Sequence, residues 1–266
     1  MIKLAAIDLD GTLLHDDMTI SAAAKEILQK AARQVRIVVA TGRMFDSARE
    51  KANLLGLPDM PVICYTGALV GMTRSGRVLW EDGLPLPLAE AILAEGRRQG
   101  WSIQSYIHDD ICMPGPSPAE AKYRKYRAKP AQYLGEAFYH PQCAPTRLIV
   151  TEPDSEKRAA IRAAIAARFG DKVDMVYPGD DFLDIHKKGV SKAAALLRLS
   201  RDWGISPEDM VSFGNTENDA SMLKMTGLSY AVANAELAAK EAAREILSYT
   251  NNEDGVAKKL SALLRL

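Results

Sequence analysis

Short apolar runs and helix-spaced apolar stripes alternate at both ends of the chain. Residues 3–7 form a compact apolar stretch of strand length. Residues 21–33 carry apolar positions at helical spacing, with Ser21 placed to cap the first turn. Residues 35–40 read as a second strand, 45–55 as a helix and 61–64 as a third strand. The C-terminal part repeats the rhythm: an Ala/Leu-rich helix over 190–203 stopped by Gly204, then a strand over 210–213. A helix over 217–224, a strand over 230–233, and helices over 236–244 and 254–264 follow. Strands alternating with helices predict an α/β fold, a doubly wound and mostly parallel sheet covered on both faces.

The rhythm changes in the middle. Residues 83–181 hold two amphipathic helices, 88–99 and 156–169, among strand-like pieces at 102–106, 111–113, 148–151 and 173–177 and Pro-rich turns. That mixture predicts an α+β module inserted into a domain formed by residues 1–82 and 182–266. Its tyrosines (Tyr106, Tyr123, Tyr126, Tyr133 and Tyr139) lie among Lys and Arg and read as packing residues rather than a ligand site.

With 47% of 266 residues apolar, a sizeable core is easily buried. Lys and Arg number 34 and Asp and Glu 34, mixed along the chain, so a basic nucleic-acid groove is not expected. Cys64, Cys112 and Cys143 are widely spaced and form no CxxC pair, which suits reduced thiols in a cytoplasmic protein. Asp8 and Asp10 interrupt the first apolar stretch, so no signal peptide is expected. No apolar run approaches the roughly 20 residues of a membrane span.

The chemistry gathers at strand ends, where open α/β sheets bind ligands. The first strand ends in Asp8-Leu-Asp10-Gly11-Thr12. Positions two apart on a strand face the same way, and two carboxylates so placed repel unless a cation lies between them. One can then act as a nucleophile while its neighbour handles a proton. An ordinary acidic turn would read the same way from Asp-x-Asp alone. Three further strand ends bear on the choice: Thr41-Gly42-Arg43, Gly214-Asn215-Thr-Glu-Asn218-Asp219, and residues 182–186 leading into Lys192 at a helix start. Asp8, Asp10, Asn215 and Asp219 are hard oxygen donors suited to Mg²⁺. Thr41 and Lys192 suit the oxygens of a phosphate, whose approach to a carboxylate costs about 4 kcal/mol per charge pair at 4 Å and an effective dielectric of 20.

The four segments Asp8-Leu-Asp10-Gly-Thr-Leu-Leu, Thr41-Gly-Arg43, Gly189-Val-Ser-Lys192 and Gly214-Asn215-x-x-Asn218-Asp219 resemble the motifs of the haloacid dehalogenase superfamily. Their order and spacing are similar to those of its Cof-type phosphatases. Residues 61–68 and 250–256 resemble further elements of that group. The resemblance covers about 1–80 and 182–266, and the middle matches only by position and size, as an α/β cap. It implies a Mg²⁺-dependent phosphatase of small phosphate monoesters, of the sugar phosphate or nucleotide class. Asp8 would attack phosphorus to give an aspartyl-phosphate, and Asp10 would serve as acid and then base. Thr41, Gly42 and Lys192 would hold the phosphoryl group, and Arg43 and Asn218 would support the substrate or the loop. The ion would rest on Asp8, the Asp10 carbonyl and the 214–219 loop, through Asn215 and Asp219. The cap would exclude water and set specificity.

The chain departs from the pattern at Asn215, where the family usually has Asp, at Thr66, where it has Asn, and at Lys187, often Pro. His186 reads as a solvated histidine after a strand, and His15, His108 and His140 as structural or surface residues. Two other functions compete: a phosphomutase of the same superfamily, and a non-catalytic phosphometabolite sensor made plausible by Asn215. Against the sensor stands the retention of both Asp8 and Asp10.

Overall fold

The computed structural model describes residues 1–117, 130–178 and 180–266; Tyr123 and Tyr126 lie outside the described residues. The described residues form two sheets. The larger has eight strands: β1 (Leu4–Ile7), β2 (Arg36–Ala40), β3 (Pro61–Cys64), β4 (Leu69–Met72), β5 (Val78–Glu81), β12 (Met210–Gly214), β13 (Leu228–Ala231) and β14 (Glu245–Ile246). Their order is β14-β13-β12-β1-β2-β3-β4-β5. The chain starts at the centre, winds outward through β2 and β3, and returns on the other side of β1 through β12. These pairs are parallel, whereas the hairpin β4–β5, unforeseen in the sequence, adds antiparallel strands at one edge. A crevice therefore opens beyond the carboxyl end of β1, where the winding reverses.

Both faces of this sheet are apolar, as helices on each side require. Ala5, Ile7, Ile37, Val39, Val211 and Phe213 pack on one side with α1 (Ala22–Ala31), α2 (Phe45–Asn53) and α8 (Gly255–Leu264). Leu4, Ala6, Val38 and Ile63 pack on the other against Ala195, Leu196 and Leu199 of α5 (Lys192–Asp202). Ser21 caps α1 as its type predicts, accepting the Ala24 amide at 2.9 Å.

The second sheet has the order β10-β11-β9-β6-β7-β8, formed by β6 (Ile103–Ile107), β7 (Asp110–Met113), β8 (Gln132–Tyr133), β9 (Arg147–Thr151), β10 (Val173–Val176) and β11 (Phe182–Lys187). One face carries Ile103, Leu148, Val150, Leu183 and Ile185, packed with α3 (Leu86–Gln99) and α4 (Ser155–Phe169). The opposite face, bearing Tyr106, Ile111, Arg147, Ile149, Phe182 and Asp184, looks onto the crevice of the first sheet.

This placement corrects one expectation. Residues 182–186 do not end in the first sheet beside β1; they pair antiparallel with β9 and β10, so the second sheet extends past residue 181 to Lys187. The alternation Leu183/Ile185 against Asp184/His186 is that of a strand with helices on one face, which a count of apolar residues alone conceals. Lys192 still reaches the crevice, because α5 starts five residues after β11 ends.

The turn after β3 brings α5 close. Gly67 has φ 114°, and a Cβ there would stand 2.2 Å from the Ser191 carbonyl oxygen, so only glycine lets the start of α5 pack on this turn. Beside it Thr66 is held at φ 56°, ψ 18°, a left-handed conformation costly for a β-branched residue. Replacing Thr66 with Asn, which tolerates that region, is expected to stabilise the fold by about 1 kcal/mol. Calorimetry should then show a melting temperature raised by about 2–4 °C; an unchanged or lower value would mean that the Thr66 hydroxyl matters more than the strain.

Candidate active site

Three loops of the first sheet converge at the end of β1. Asp8 follows the last residue of β1, its amide bonded to the Phe213 carbonyl at 3.1 Å, and the residue is 4% exposed. The Lys192 ammonium, wholly buried, lies 2.7 Å from Asp8 Oδ1 and 2.7 Å from Asp219 Oδ1. Asp219 is fixed in turn, because its Oδ2 accepts the Asn215 and Thr216 amides at 2.9 and 3.1 Å. Burial alone would lower the pKa of Lys192, but Asp219 and Asp8 outweigh it and hold the pKa above its usual value. For Asp8, burial and then Asp219 dominate, and its pKa is pushed up from 3.8 to about 7 despite Lys192. Asp8 Oδ2 is buried without a hydrogen-bond partner.

Asp10 stands beside it, more open, and engages Arg43 in a two-pronged pair, Nε to Oδ2 at 2.7 Å and Nη2 to Oδ1 at 2.5 Å. Arg43 also donates to Ser47 Oγ at 2.9 Å, and its amide donates to Thr41 Oγ1 at 3.1 Å. Arg43 thus organises the acid and the Thr41 loop together. Gly11 (φ +69°) turns the chain between Asp8 and Thr12; a Cβ there would meet Asn215 Nδ2 at 2.5 Å. Asn215 Oδ1 accepts from Thr12 Oγ1 at 2.9 Å, and Asn218 Oδ1 from Thr216 Oγ1 at 2.9 Å.

Among the described residues no three His, Cys, Asp or Glu are grouped to hold a metal. The donors fit a hard cation that takes few protein ligands and keeps its waters, as Mg²⁺ does. Asp8 Oδ2 is the orphaned buried oxygen such an ion would satisfy. Asp219, expected as a direct ligand, has Oδ1 on Lys192 and Oδ2 on the Asn215 and Thr216 amides, and Asn215 Oδ1 accepts from Thr12.

The second sheet closes over these groups through contacts the sequence did not reveal. Arg147, 5% exposed, donates from Nη1 to the Gly42 carbonyl at 2.7 Å and to Asp184 Oδ2 at 2.8 Å, with its guanidinium 4.6 Å from the Tyr106 ring centre and 4.8 Å from that of Tyr65. Asp109, in the β6–β7 turn, accepts the Phe45 and Asp46 amides at 2.7 and 2.9 Å and the Tyr65 hydroxyl at 2.5 Å. It thereby caps α2, whose own N-cap residue Met44 supplies no side chain for the purpose. Glu217 accepts the Tyr177 amide at 2.7 Å. His186 is not solvated as expected: it is 1% exposed, with Nε2 3.0 Å from Asp184 Oδ2. Between the layers lies a cavity of about 130 Å³ lined by Asp8, Asp10, Thr41, Gly42, Arg43 and Asn218 on one side. Tyr106, Ile111, Arg147, Ile149, Pro178 and Phe182 line the other, so Tyr106 both packs and faces the cavity. Tyr133 and Tyr139 do not line it.

The raised pKa of Asp8 has a stability consequence. A carboxyl whose folded pKa lies near 7 rather than 3.8 favours the fold while protonated, and that contribution is lost as pH rises between about 4 and 7. Without divalent ions, the protein is expected to melt several degrees lower at pH 8 than at pH 5.5, and Asp8→Asn to narrow that gap. Equal gaps in the two proteins, measured by calorimetry, would rule out Asp8 as the source.

Comparison with known proteins identifies the family. The family model for haloacid dehalogenase-like hydrolases matches residues 5–260. The 5-amino-6-(5-phospho-D-ribitylamino)uracil phosphatase of Bacillus subtilis is 25% identical over 97% of this chain and 94% of its own. A phosphoglycolate phosphatase of Halorubrum lacusprofundi is 27% identical over 99% and 98%. The structure of a haloacid dehalogenase-like hydrolase from Bacteroides thetaiotaomicron superposes with a TM-score of 0.86 at 25% identity, covering 99% of this chain and 100% of the other. No described helix is long and apolar enough to cross a membrane. A family match that spans nearly the whole sequence, over a fold with the same architecture, shows that this chain is an enzyme of the haloacid dehalogenase-like hydrolase family.

Proposed function

We propose that the protein is a Mg²⁺-dependent phosphatase of small phosphate monoesters, working through an aspartyl-phosphate on Asp8. The observation that carries this reading is Asp8 Oδ2, a buried carboxylate oxygen without a partner at the mouth of β1, beside a buried lysine and facing the cavity. The phosphatases among the relatives support the reaction class.

In the first step an Asp8 oxygen forms a bond to phosphorus as the bond to the leaving alcohol breaks, and Asp10 gives that alcohol its proton. In the second, Asp10 takes a proton from water, whose oxygen attacks phosphorus and returns Asp8 as a carboxylate. Arg43 orients Asp10 for both transfers. Lys192 spends two of its three N–H bonds on Asp8 and Asp219, and the third serves a phosphoryl oxygen. Thr41 and the Gly42 backbone bind the others. A Mg²⁺ held by Asp8, Asn215 and the Asp10 carbonyl supplies the charge that offsets repulsion between phosphate and carboxylate, about 4 kcal/mol per pair at 4 Å and an effective dielectric of 20. The segment from residue 83 through β11 acts as the cap, excluding water from the cavity and contacting the leaving group.

Phosphate release from p-nitrophenyl phosphate across a Mg²⁺ titration tests the proposal. Asp8→Asn is expected to lower turnover by roughly a thousandfold or more while the protein stays folded; an Asp8→Asn variant with undiminished activity would refute the mechanism. Asn215→Asp restores a negative charge beside the ion, and the Mg²⁺ dissociation constant read by calorimetry is expected to fall by about tenfold or more, up to a few hundredfold. No change would place position 215 outside the ion's reach.

A further inference from the structure

The turn after β2 takes one of its supports from the other sheet. The carbonyls of Thr41 and Arg43 accept the Thr66 and Tyr65 amides at 3.1 and 3.0 Å, bonds made within the loops of the first sheet. The carbonyl between them, that of Gly42, accepts Nη1 of Arg147 in β9 at 2.7 Å. The same peptide unit carries the Arg43 N–H, which donates to Thr41 Oγ1 at 3.1 Å. In a trans peptide the C=O and N–H point in opposite directions, so an arginine that holds this carbonyl toward the second sheet aims the N–H at Thr41. With the Arg43 amide on Oγ1, the hydroxyl hydrogen of Thr41 is turned away from Arg43 and left to donate elsewhere. Thr41 lines the cavity together with Asp8.

Arg147 is built to hold that direction. It is buried, its guanidinium lies 4.6 Å from the Tyr106 ring centre and 4.8 Å from that of Tyr65, and Nη1 also reaches Asp184 Oδ2 at 2.8 Å. Tyr65 is fixed in turn by its hydroxyl on Asp109. A planar cation held against two rings and a carboxylate has little freedom to swing. As a charged donor it also polarises the peptide it grips, which strengthens the N–H at the other end. Resting on the phosphatase reading above, we propose that Arg147 is a positioning residue for phosphoryl transfer. Through the Gly42–Arg43 peptide it orients the Thr41 hydroxyl toward a phosphoryl oxygen, while Arg147 itself touches neither the phosphate nor the leaving group. The phosphate end of the site is then complete only while the second sheet sits on the first, because the Gly42 carbonyl takes its hydrogen bond from β9. An arginine that merely tied the two layers together would act on every group of the site alike.

A double-mutant cycle separates the two roles. With Mg²⁺ present, kcat/KM for p-nitrophenyl phosphate is measured for the wild-type protein, Arg147→Met, Thr41→Val and the two combined. Calorimetric titration with orthovanadate, an oxyanion of the shape of phosphate, gives binding for the same proteins. Arg147→Met is expected to lower both quantities by about tenfold or more when Thr41 is present, and by about twofold or less in the Thr41→Val background. Arg147→Met leaves the buried Asp184 carboxylate without its cation, so the cycle is repeated with Asp184→Asn added, which removes both charges. Melting curves check that each variant is folded at the assay temperature. Equal losses with and without the Thr41 hydroxyl, or no loss from removing Arg147, would overturn the inference, while turnover by the wild-type protein keeps the phosphatase reading. If vanadate binds with the expected coupling yet no ester is turned over, the reaction assignment fails and the positioning of Thr41 by Arg147 stands. Absence of both turnover and vanadate binding in the wild-type protein would overturn both.

Discussion

The structure is organised around one buried ammonium. Lys192 sits between Asp8 and Asp219 with no exposed surface, and each of the three would be costly to bury alone. Removing the lysine would leave two carboxylates facing each other in a dry site; removing Asp219 would free both the lysine and the loop that follows β12. The arrangement draws on distant parts of the chain: Asp8 from the first strand, Asp219 from a turn more than two hundred residues later, Lys192 from the helix entered after the second sheet. Parallel pairing of β1 with β12 and the close approach allowed by Gly67 bring them together.

A second charge balance sits beside the first. Asp10 and Arg43 neutralise each other, and the same arginine ties Asp10 to the Thr41 loop and to α2 through Ser47. Two acids with nearly the same local sequence thus have different environments. Asp8 is buried against a lysine shared with another acid, and its pKa is raised; Asp10 is more open and is held by the Arg43 guanidinium.

Much of the first sheet was legible because buried parallel strands are short continuous apolar runs with helices between them. The site residues Asp8, Asp10, Thr41, Arg43, Asn215, Asn218 and Asp219 could be placed at strand ends for the same reason. Lys192 was found through its helix start, although the strand before it was assigned to the wrong sheet. Nothing local in Phe182-Leu-Asp-Ile-His-Lys187 says which sheet it joins; that depends on pairing with β9 and β10. Arg147 was missed because an arginine opening an apolar run reads as a strand boundary, and its partners Gly42 and Asp184 lie in other segments. Asp109 was missed for a similar reason: a side chain that caps a helix about sixty residues away leaves no short-range signature. His186 was misread because burial beside an ion pair is a tertiary property.

The division of labour between the sheets follows from how each is covered. The first sheet has helices on both faces, so the polar groups within its strands are small, as Ser212 and Ser229 are, and the buried charges gather at the strand ends where the winding reverses. The second sheet has helices on one face only, so its other face must find cover, and it finds it on the crevice. That face mixes apolar side chains with buried polar ones, Gln104, Thr151 and His186 among them, and its Arg147, paired with Asp184, donates across the gap to Gly42. The charge balance around Lys192 is built by the first sheet and its loops, and the second sheet adds the wall opposite. The period of two along β6, β9 and β11 separates the residues that face the cavity from those that hold α3 and α4.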